Sequence, residues 1–188
     1  MESMESQSAL QNKHEQARVK SDWLISLNCQ SLLPNIEEMR LIFTYNHPSI
    51  IAVTETWLNN TISDDKIHIQ GYRVIQKDQL VHGSGGCTLY VTDGFNFKHR
   101  LELEDHDFEA IWIEGKINKT KYVIGCVYRA PDAPVDDFFN YLNDVVWIET
   151  WSGKEVIITG YLNCNCLNNT LQQMGRMEEF LMANVLTQ

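Results

Sequence analysis

The sequence lacks the features that mark several large classes of protein. No apolar run approaches the length of a membrane span, and the first residues are polar and charged, without the apolar segment of a secretion signal. Basic residues are scarce, with 15 Lys and Arg against 25 Asp and Glu, so the net charge is −10. That charge argues against broad binding to a phosphate backbone, which usually requires a basic surface. We therefore predict an intracellular protein with no membrane partner.

The cysteines also lack the arrangement that structural zinc needs. There are five, an odd number, and no second Cys or His pair accompanies Cys164 and Cys166. We expect reduced thiols rather than a disulfide framework or a zinc site.

The length of 188 residues and the hydrophobic fraction of 44% suit one soluble domain. Residues 1–21 are polar and are predicted to be a disordered tail. Residues 22–188 carry the apolar pattern and are predicted to form the domain.

The first half of this pattern predicts a β-α-β unit. Trp23–Leu27 and the β-branched run Ile50–Val53 have the composition of buried strands. Between them, a helix with Pro34 in its first turn buries Ile36, Met39 and Phe43 and ends at His47-Pro48. A helix between two such strands predicts an α/β fold with a parallel pair of strands.

Shorter strands at hairpin spacing follow, namely His68–Ile75, Cys87–Val91, Phe95–His99, Phe108–Gly115 and Tyr122–Tyr128. The glycine-rich segment 83–86 leads into a strand, which is typical of a hairpin loop and not of a phosphate-binding loop.

The C-terminal part predicts helix, strand, helix. Asp136 is predicted to cap a helix through Trp147, and Lys154–Thr159 to form a buried strand. Thr170 and Gln173 match a capping box before a last helix. The inward faces of the two helices are Phe138, Tyr141, Leu142 and Val145, and Leu171, Met174, Met177 and Leu181.

Polar residues follow the predicted strands at four places, where ligands bind in sheets covered by helices. Glu55 follows a fully apolar strand, so its carboxylate either coordinates a cation such as Mg²⁺ or is a salt-bridged or capping residue. Asn28 and Asn163 can bind a phosphate oxygen or water, or can be turn residues. Tyr128 can donate to a developing charge or belong to the core, and Arg129 can bind a phosphate or lie on the surface.

The order of these residues resembles a known family. The segments are SLNCQSLLPNIEEMRLIF (26–43), IIAVTETWL (50–58), IHIQGYRVIQKD (67–78), GGCTLYV (85–91), FEAIWIEGKINKTKYVIGCVYRAPDAP (108–134) and GKEVIITGYLNCN (153–165). They resemble the endonuclease domain of non-LTR retrotransposons of the jockey-like or chicken-repeat type, within the endonuclease/exonuclease/phosphatase superfamily.

The resemblance implies two packed mixed β-sheets flanked by helices and Mg²⁺- or Mn²⁺-dependent nicking of DNA. It implies that Glu55 is the metal ligand, that Asn28 organises the metal and phosphate region, and that Tyr128 contacts the scissile phosphate. It also implies that Asn163 orients the substrate. The partners implied are DNA and a reverse transcriptase domain in the parent element, and the location implied is the nucleus or cytoplasm.

The chain departs from the family in two respects. The family has Gly-Asp-Phe-Asn where this chain has Gly160, Tyr161, Leu162 and Asn163, and a neutral phenol does not replace that Asp. The family also continues to another Asp and a Ser-Asp-His segment, so we expect a fold that is incomplete at its C-terminus. We therefore predict impaired hydrolysis. The alternatives are a non-catalytic remnant or binding module, or another branch of the superfamily, such as abasic-site repair or phospholipid or inositol-phosphate hydrolysis.

Overall fold

Two four-stranded β-sheets face each other in the computed structural model, which describes residues 23–79, 84–164 and 171–184. The first sheet has the order β1-β2-β4-β3, with β1 Leu24–Asn28, β2 Ile50–Thr54, β3 Tyr72–Lys77 and β4 Cys87–Thr92. The second sheet has the order β5-β6-β7-β8, with β5 Phe97–His99, β6 Glu109–Ile117, β7 Thr120–Tyr128 and β8 Glu155–Tyr161. The helices are α1 Leu32–Asn46, α2 Asp64–Ile67, α3 Val135–Trp151 and α4 Leu171–Ala183, with a 3₁₀ turn at Leu101–Leu103.

Both sheets are mixed because each contains one helix crossover. β1 and β2 are parallel and joined by α1, and β7 and β8 are parallel and joined by α3. The other strand pairs are antiparallel. The predicted β-α-β unit and the mixed sheets flanked by helices are therefore confirmed.

The core has three layers that follow from this arrangement. Apolar side chains of β2, β4, β6 and β7 fill the space between the sheets, and the five residues of β2 are all buried. The outer face of the first sheet packs against Leu32, Ile36, Met39 and Phe43 of α1. The outer face of the second sheet packs against α3 and α4 through Phe138, Phe139, Leu142, Met177 and Phe180. A strand buried on both faces needs a continuous apolar run, which explains the sequence of β2.

An ionic cluster fixes the end of α3 against the second sheet. Glu149 is buried, and its carboxylate accepts hydrogen bonds from Arg100 Nη2 at 2.7 Å and from Lys154 Nζ at 2.6 Å. Lys154 also donates to Glu114 at 3.0 Å. The contacts of Arg100 with Glu149 and of Lys154 with Glu114 join residues that lie far apart along the chain, so the cluster is a tertiary feature.

Several predicted boundaries were wrong. α3 begins at Val135 with Pro134 at its N-cap, so Asp136 does not cap the helix. Asp136 lies in the first turn, where its negative charge interacts favourably with the helix dipole. The same helix continues to Trp151, four residues beyond Trp147. The strand predicted from His68 begins only at Tyr72, because the one-turn helix α2 and a turn at Gly71 precede it.

Other local predictions agree with the structure. α1 ends at Asn46 with His47 in a left-handed conformation, as the His-Pro pair indicates. The segment before β4 joins an antiparallel hairpin. In the last helix Met177 and Phe180 are buried, and the predicted Leu181 is half-buried and packs against the same core. The tail 1–21, Gly83, Cys166 and the Thr170 end of the capping box lie outside the described residues. None of the described helices has the length and apolar character needed to cross a bilayer.

Candidate active site

Glu55 lies directly after β2, in a conformation that its neighbours hold in place. Its φ is 57°, in the left-handed region that non-glycine residues rarely adopt. The Glu55 carbonyl accepts a hydrogen bond from Ser31 N at 2.7 Å, which ties the end of β1 to the end of β2. Of the seven non-glycine residues with positive φ in the described chain, five surround this point, namely Gln30, Ser31, Glu55, Trp57 and Asn163. Such strained positions concentrate at functional sites.

The Glu55 carboxylate receives hydrogen bonds from three parts of the chain. Oε2 accepts from the Gly85 backbone N–H at 3.1 Å and from Trp57 Nε1 at 2.9 Å, and the Tyr128 hydroxyl donates to the same carboxylate. Burial by itself raises the pKa of Glu55, but the bonds from Tyr128, Trp57 and Gly85 outweigh it and lower the pKa below its ordinary value. The half-buried carboxylate is therefore ionised at neutral pH, as a cation ligand must be.

Tyr128 ends β7 and is almost completely buried. Burial, together with the hydrogen bond to Glu55 and the negative charge of that residue, raises the pKa of Tyr128. The Asn163 side chain forms a further hydrogen bond with the phenol oxygen. Tyr128 therefore remains protonated and acts as a hydrogen-bond donor, which agrees with both interpretations offered by the sequence.

Arg129, which follows β7, holds the segment that follows β8. Its side chain is 1% exposed, and the guanidinium donates to the carbonyl oxygens of Leu162, Ala133 and Asn163, each at 2.8 Å. Asn163 Nδ2 donates in return to the Arg129 carbonyl at 2.6 Å. This geometry differs from the expected phosphate clamp and from the surface arginine, because the donors are directed to backbone carbonyls inside the protein. The guanidinium instead fixes the loop that carries Asn163.

Tyr161 is the register partner of Tyr128 in the parallel pair β7–β8. The two rings stack at a centroid distance of 6.4 Å, and Tyr161 is 43% exposed. Gly160 precedes it with φ 128°, and a Cβ there would lie 2.0 Å from the Val127 carbonyl oxygen, so only glycine fits. The fixed backbone therefore directs position 161 to the edge of the site.

Asn28 lies at the same edge but outside this network of side chains. It is exposed at the end of β1, beside Thr54 in the sheet, and its Oδ1 accepts from Gln30 N at 3.4 Å. The structure thus joins Glu55, Tyr128 and Asn163 by hydrogen bonds, with Asn28 on the neighbouring strand and Arg129 behind.

The sequence reasoning missed Glu109 and Trp57. Glu109 begins β6, is 4% exposed and is paired in register with Tyr128. A carboxylate at the start of an apolar strand, like Glu55 at the end of one, was a signal that could have indicated it. The sequence offered no separate indication of a role for Trp57, which was noted only within the segment IIAVTETWL. Its contact with Glu55 depends on the left-handed conformation of the turn.

A shallow cavity of about 270 Å³ opens beside Tyr128. It is lined by Asp107, Phe108, Glu109, Tyr128, Ala130, Asp132, Ala133 and Pro134. The lining is acidic, which favours cations over anions. Among residues 23–79, 84–164 and 171–184, no group of three or more His, Cys, Asp or Glu side chains could hold a metal ion. The residues present nevertheless fit a hard cation bound by one carboxylate, because Mg²⁺ retains several waters and binds through one or two carboxylates.

Comparison with known proteins supports the fold. Neither a protein-family profile nor a curated protein matches the sequence. Solved structures do match: an AP endonuclease from Leishmania major (TM-score 0.67, 16% identity, 86% of this chain and 66% of that chain) and the endonuclease domain of TRAS1, a telomere-specific non-LTR retrotransposon (TM-score 0.63, 17% identity, 84% and 71%). An endonuclease/exonuclease/phosphatase family protein from Leptotrichia buccalis C-1013-b also matches (TM-score 0.57, 12% identity, 85% and 71%).

The chain therefore spans slightly less than two thirds of the Leishmania enzyme. The shared architecture of two packed sheets flanked by helices confirms the fold implied by the sequence resemblance. This chain has the endonuclease/exonuclease/phosphatase fold.

Proposed function

We propose that this chain is a retroelement-derived phosphodiesterase domain of the DNA-nicking type, dependent on Mg²⁺ or Mn²⁺ and impaired in hydrolysis. The observation that supports this most directly is the Glu55 carboxylate, kept ionised at the strand ends by Gly85, Trp57 and Tyr128. A carboxylate in a polar, half-buried position of this kind is suited to a hard cation.

Glu55 would hold the cation, and Asn28 on the neighbouring strand would add an amide oxygen or orient a metal-bound water. When bound, the cation neutralises charge that develops on the phosphate oxygens. Tyr128 would supply a neutral donor, since its pKa is raised; its single hydroxyl hydrogen, held by Glu55, would turn to a phosphate oxygen when the substrate binds. Asn163, fixed by Arg129, orients the substrate and the Tyr128 hydroxyl.

Impairment follows from the chemistry of position 161. The phenol of Tyr161 is uncharged at neutral pH and does not take a proton from the attacking water. Removal of a general base or its equivalent typically costs about 10²–10⁴ in rate. Position 161 lies beside Tyr128 in the sheet, so the chemical nature of its side chain bears directly on the proposed site.

The proposed substrate is DNA, and the proposed origin is a non-LTR element that also encodes a reverse transcriptase. The fold similarity to the TRAS1 endonuclease domain and the order of the sequence segments support this origin. A reverse transcriptase reading frame downstream of this one would test the lineage, and an intracellular location, in the nucleus or cytoplasm, would accompany it.

The proposed function is tested by cation binding and plasmid nicking with a single variant, Glu55→Ala. Calorimetry should detect Mn²⁺ uptake by the natural sequence that Glu55→Ala abolishes, and any slow nicking of supercoiled plasmid should disappear in the same variant. Glu178→Ala, on the exposed face of α4, is the matched control and should leave both signals unchanged. Absence of Glu55-dependent Mn²⁺ uptake would overturn the metal site, and rapid turnover by the natural sequence would overturn the impairment.

A non-catalytic nucleic-acid binding module is the second candidate. Trp57 and Tyr161 are 40% and 43% exposed at the edge of the site, and exposed aromatic rings are surfaces on which unpaired bases stack. Fluorescence anisotropy with single-stranded DNA in the presence of EDTA distinguishes the two functions. Affinity that is independent of cations and lost in Trp57→Ala supports the second candidate.

A further inference from the structure

Glu109 is a buried carboxylate at the boundary between the two sheets. It begins β6 in the second sheet, is 4% exposed, and lies opposite Tyr128 in the register of β6 and β7. Burying an ionised carboxylate is costly unless hydrogen bonds compensate it. Its bonds therefore indicate what the residue does.

The Glu109 carboxylate contacts a pair of glycines. Its Oε2 accepts a hydrogen bond from Gly86 N at 2.5 Å. A Cβ on Gly85 would lie 2.4 Å from the same oxygen, so the carboxylate occupies the space beside that glycine. Both glycines have φ of 88°, which other residues rarely adopt.

The other side of the same glycine pair contacts the Glu55 segment. Gly85 N donates to Glu55 Oε2 at 3.1 Å, and Gly85 O accepts from Trp57 N at 2.9 Å. Gly86 O accepts from Thr56 N at 3.4 Å. The two glycines therefore lie between Glu109 of the second sheet and Glu55 of the first, with successive N–H groups directed to the two carboxylates.

We propose that Glu109 is a positioning residue for Glu55: by holding Gly85 and Gly86, it directs the Gly85 N–H to the Glu55 carboxylate and so orients that carboxylate toward the cation. The effect on cation affinity rests on the proposed function, whereas the positioning itself is measurable without a metal. A residue needed only for folding would stabilise the chain without acting on the environment of Glu55.

Two substitutions at Glu109 separate the effect of side-chain length from the effect of its charge. Glu109→Gln keeps the length and an acceptor oxygen for Gly86 N but removes the charge. Glu109→Asp keeps the charge but shortens the side chain by one methylene. Positioning requires reach, so Glu109→Asp should disturb the site and Glu109→Gln should preserve it.

The first readout uses metal-free protein at one pH. In Glu109→Asp, hydrogen exchange at the Gly85 and Gly86 amides should accelerate roughly tenfold, the effect of losing about one hydrogen bond. The indole N–H resonance of Trp57, which reports its bond to Glu55, should shift. In Glu109→Gln, exchange should stay within about threefold of the natural sequence and the resonance should not move.

The second readout is Mn²⁺ affinity, which should fall about tenfold in Glu109→Asp and be retained in Glu109→Gln. Glu149→Asp is the matched control: it shortens a buried carboxylate of the ionic cluster on Arg100 and should lower stability without altering the Gly85 or Trp57 signals. Should Glu109→Asp fail to fold, Glu109→Asn replaces it, because it shortens the side chain by the same methylene without burying a charge and should produce the same shift at Trp57.

The outcomes distinguish the two proposals. Normal exchange and an unmoved Trp57 resonance in Glu109→Asp would overturn the positioning role, as would equal disturbance by Glu109→Gln. If the natural sequence takes up no Mn²⁺ while Glu109→Asp still alters the Gly85 and Trp57 signals, the proposed function fails and the positioning role stands.

Discussion

Replacing Tyr161 by aspartate should increase plasmid nicking, because the new carboxylate takes the place next to Tyr128 that the family reserves for an acidic residue. The backbone needs no change: Gly160 and the register of β7 with β8 already fix the direction of position 161. The Tyr161 ring is 43% exposed, so its removal leaves no sealed cavity.

The magnitude of this change has two parts. A restored general base contributes a rate factor of about 10²–10⁴. That factor corresponds to about 2.7–5.4 kcal/mol of activation free energy. The loss of the ring stack with Tyr128 costs about 0.5–1.5 kcal/mol of folding free energy. The expected decrease in activation free energy is therefore larger than the expected loss of folding free energy.

The assay is nicking of supercoiled plasmid with Mn²⁺, with Tyr161→Asn as the matched control. Asparagine has the shape of aspartate but no charge, so it removes the same stack and restores no base. We expect nicking in Tyr161→Asp and background rates in Tyr161→Asn and in the Tyr161→Asp, Glu55→Ala double variant. Equal rates in the Asp and Asn variants, with both folded, would refute the reasoning.

Two further predictions concern the surroundings of the site, and a third concerns the ionic cluster at Glu149. Tyr128→Phe removes a donor to Glu55 and should weaken Mn²⁺ binding by about tenfold in calorimetry, with a stability loss of only about 0.5–1.5 kcal/mol. Arg129→Ala leaves buried carbonyl oxygens without donors and should lower the free energy of unfolding by roughly 3–5 kcal/mol in urea titrations. For Glu149, burial raises the pKa but the bonds from Arg100 and Lys154 outweigh it and lower the pKa. The ionised Glu149 therefore contributes to the free energy of unfolding at pH values above the pKa of a glutamate in the unfolded chain. This contribution is lost as the pH falls through the lowered pKa of the folded state. Glu149→Gln should therefore make the free energy of unfolding less dependent on pH in the acid range.

Each of these predictions has an outcome that contradicts it. Unchanged Mn²⁺ affinity in Tyr128→Phe would show that the Tyr128 hydroxyl does not contribute to cation binding. Wild-type stability of Arg129→Ala would show that the guanidinium does not hold the loop, and Arg129→Lys should lie between the two. Equal loss of stability between pH 7 and pH 3 in the natural sequence and in Glu149→Gln would exclude a lowered pKa for Glu149.

The sequence was informative where the structure depends on local pattern. The apolar run Ile50–Val53 predicted a buried strand, and the spacing of Ile36, Met39 and Phe43 predicted the buried face of α1. Strand ends were the right places to look for polar groups, since Glu55, Tyr128 and Asn163 do meet there. Boundaries were less predictable, as the start of α3 at Val135 shows, because neighbouring residues satisfy the signals for a helix start equally well.

The role of Arg129 could not be read from the sequence. A lone arginine after a strand is equally compatible with the surface, a phosphate or the interior, and only the packing of β7 against the loop after β8 directs its donors to carbonyl oxygens. The contacts of Glu109 could not be predicted for the same reason, since its partner Gly86 directly precedes a strand of the other sheet.

By itself, the sequence determined the order of the strands and the three longer helices, the apolar surfaces of β2 and α1, and the chemical types available at the strand ends, because these follow from backbone propensity and side-chain periodicity. It did not predict α2, and β8, predicted to be buried, is partly exposed. Only the tertiary structure decided which of these groups meet. Glu55, Gly85, Glu109 and Tyr128 come from four separate segments, and their contacts arise from the packing of one sheet on the other. Such contacts depend on the register and spacing of both sheets, which no local window of the sequence contains.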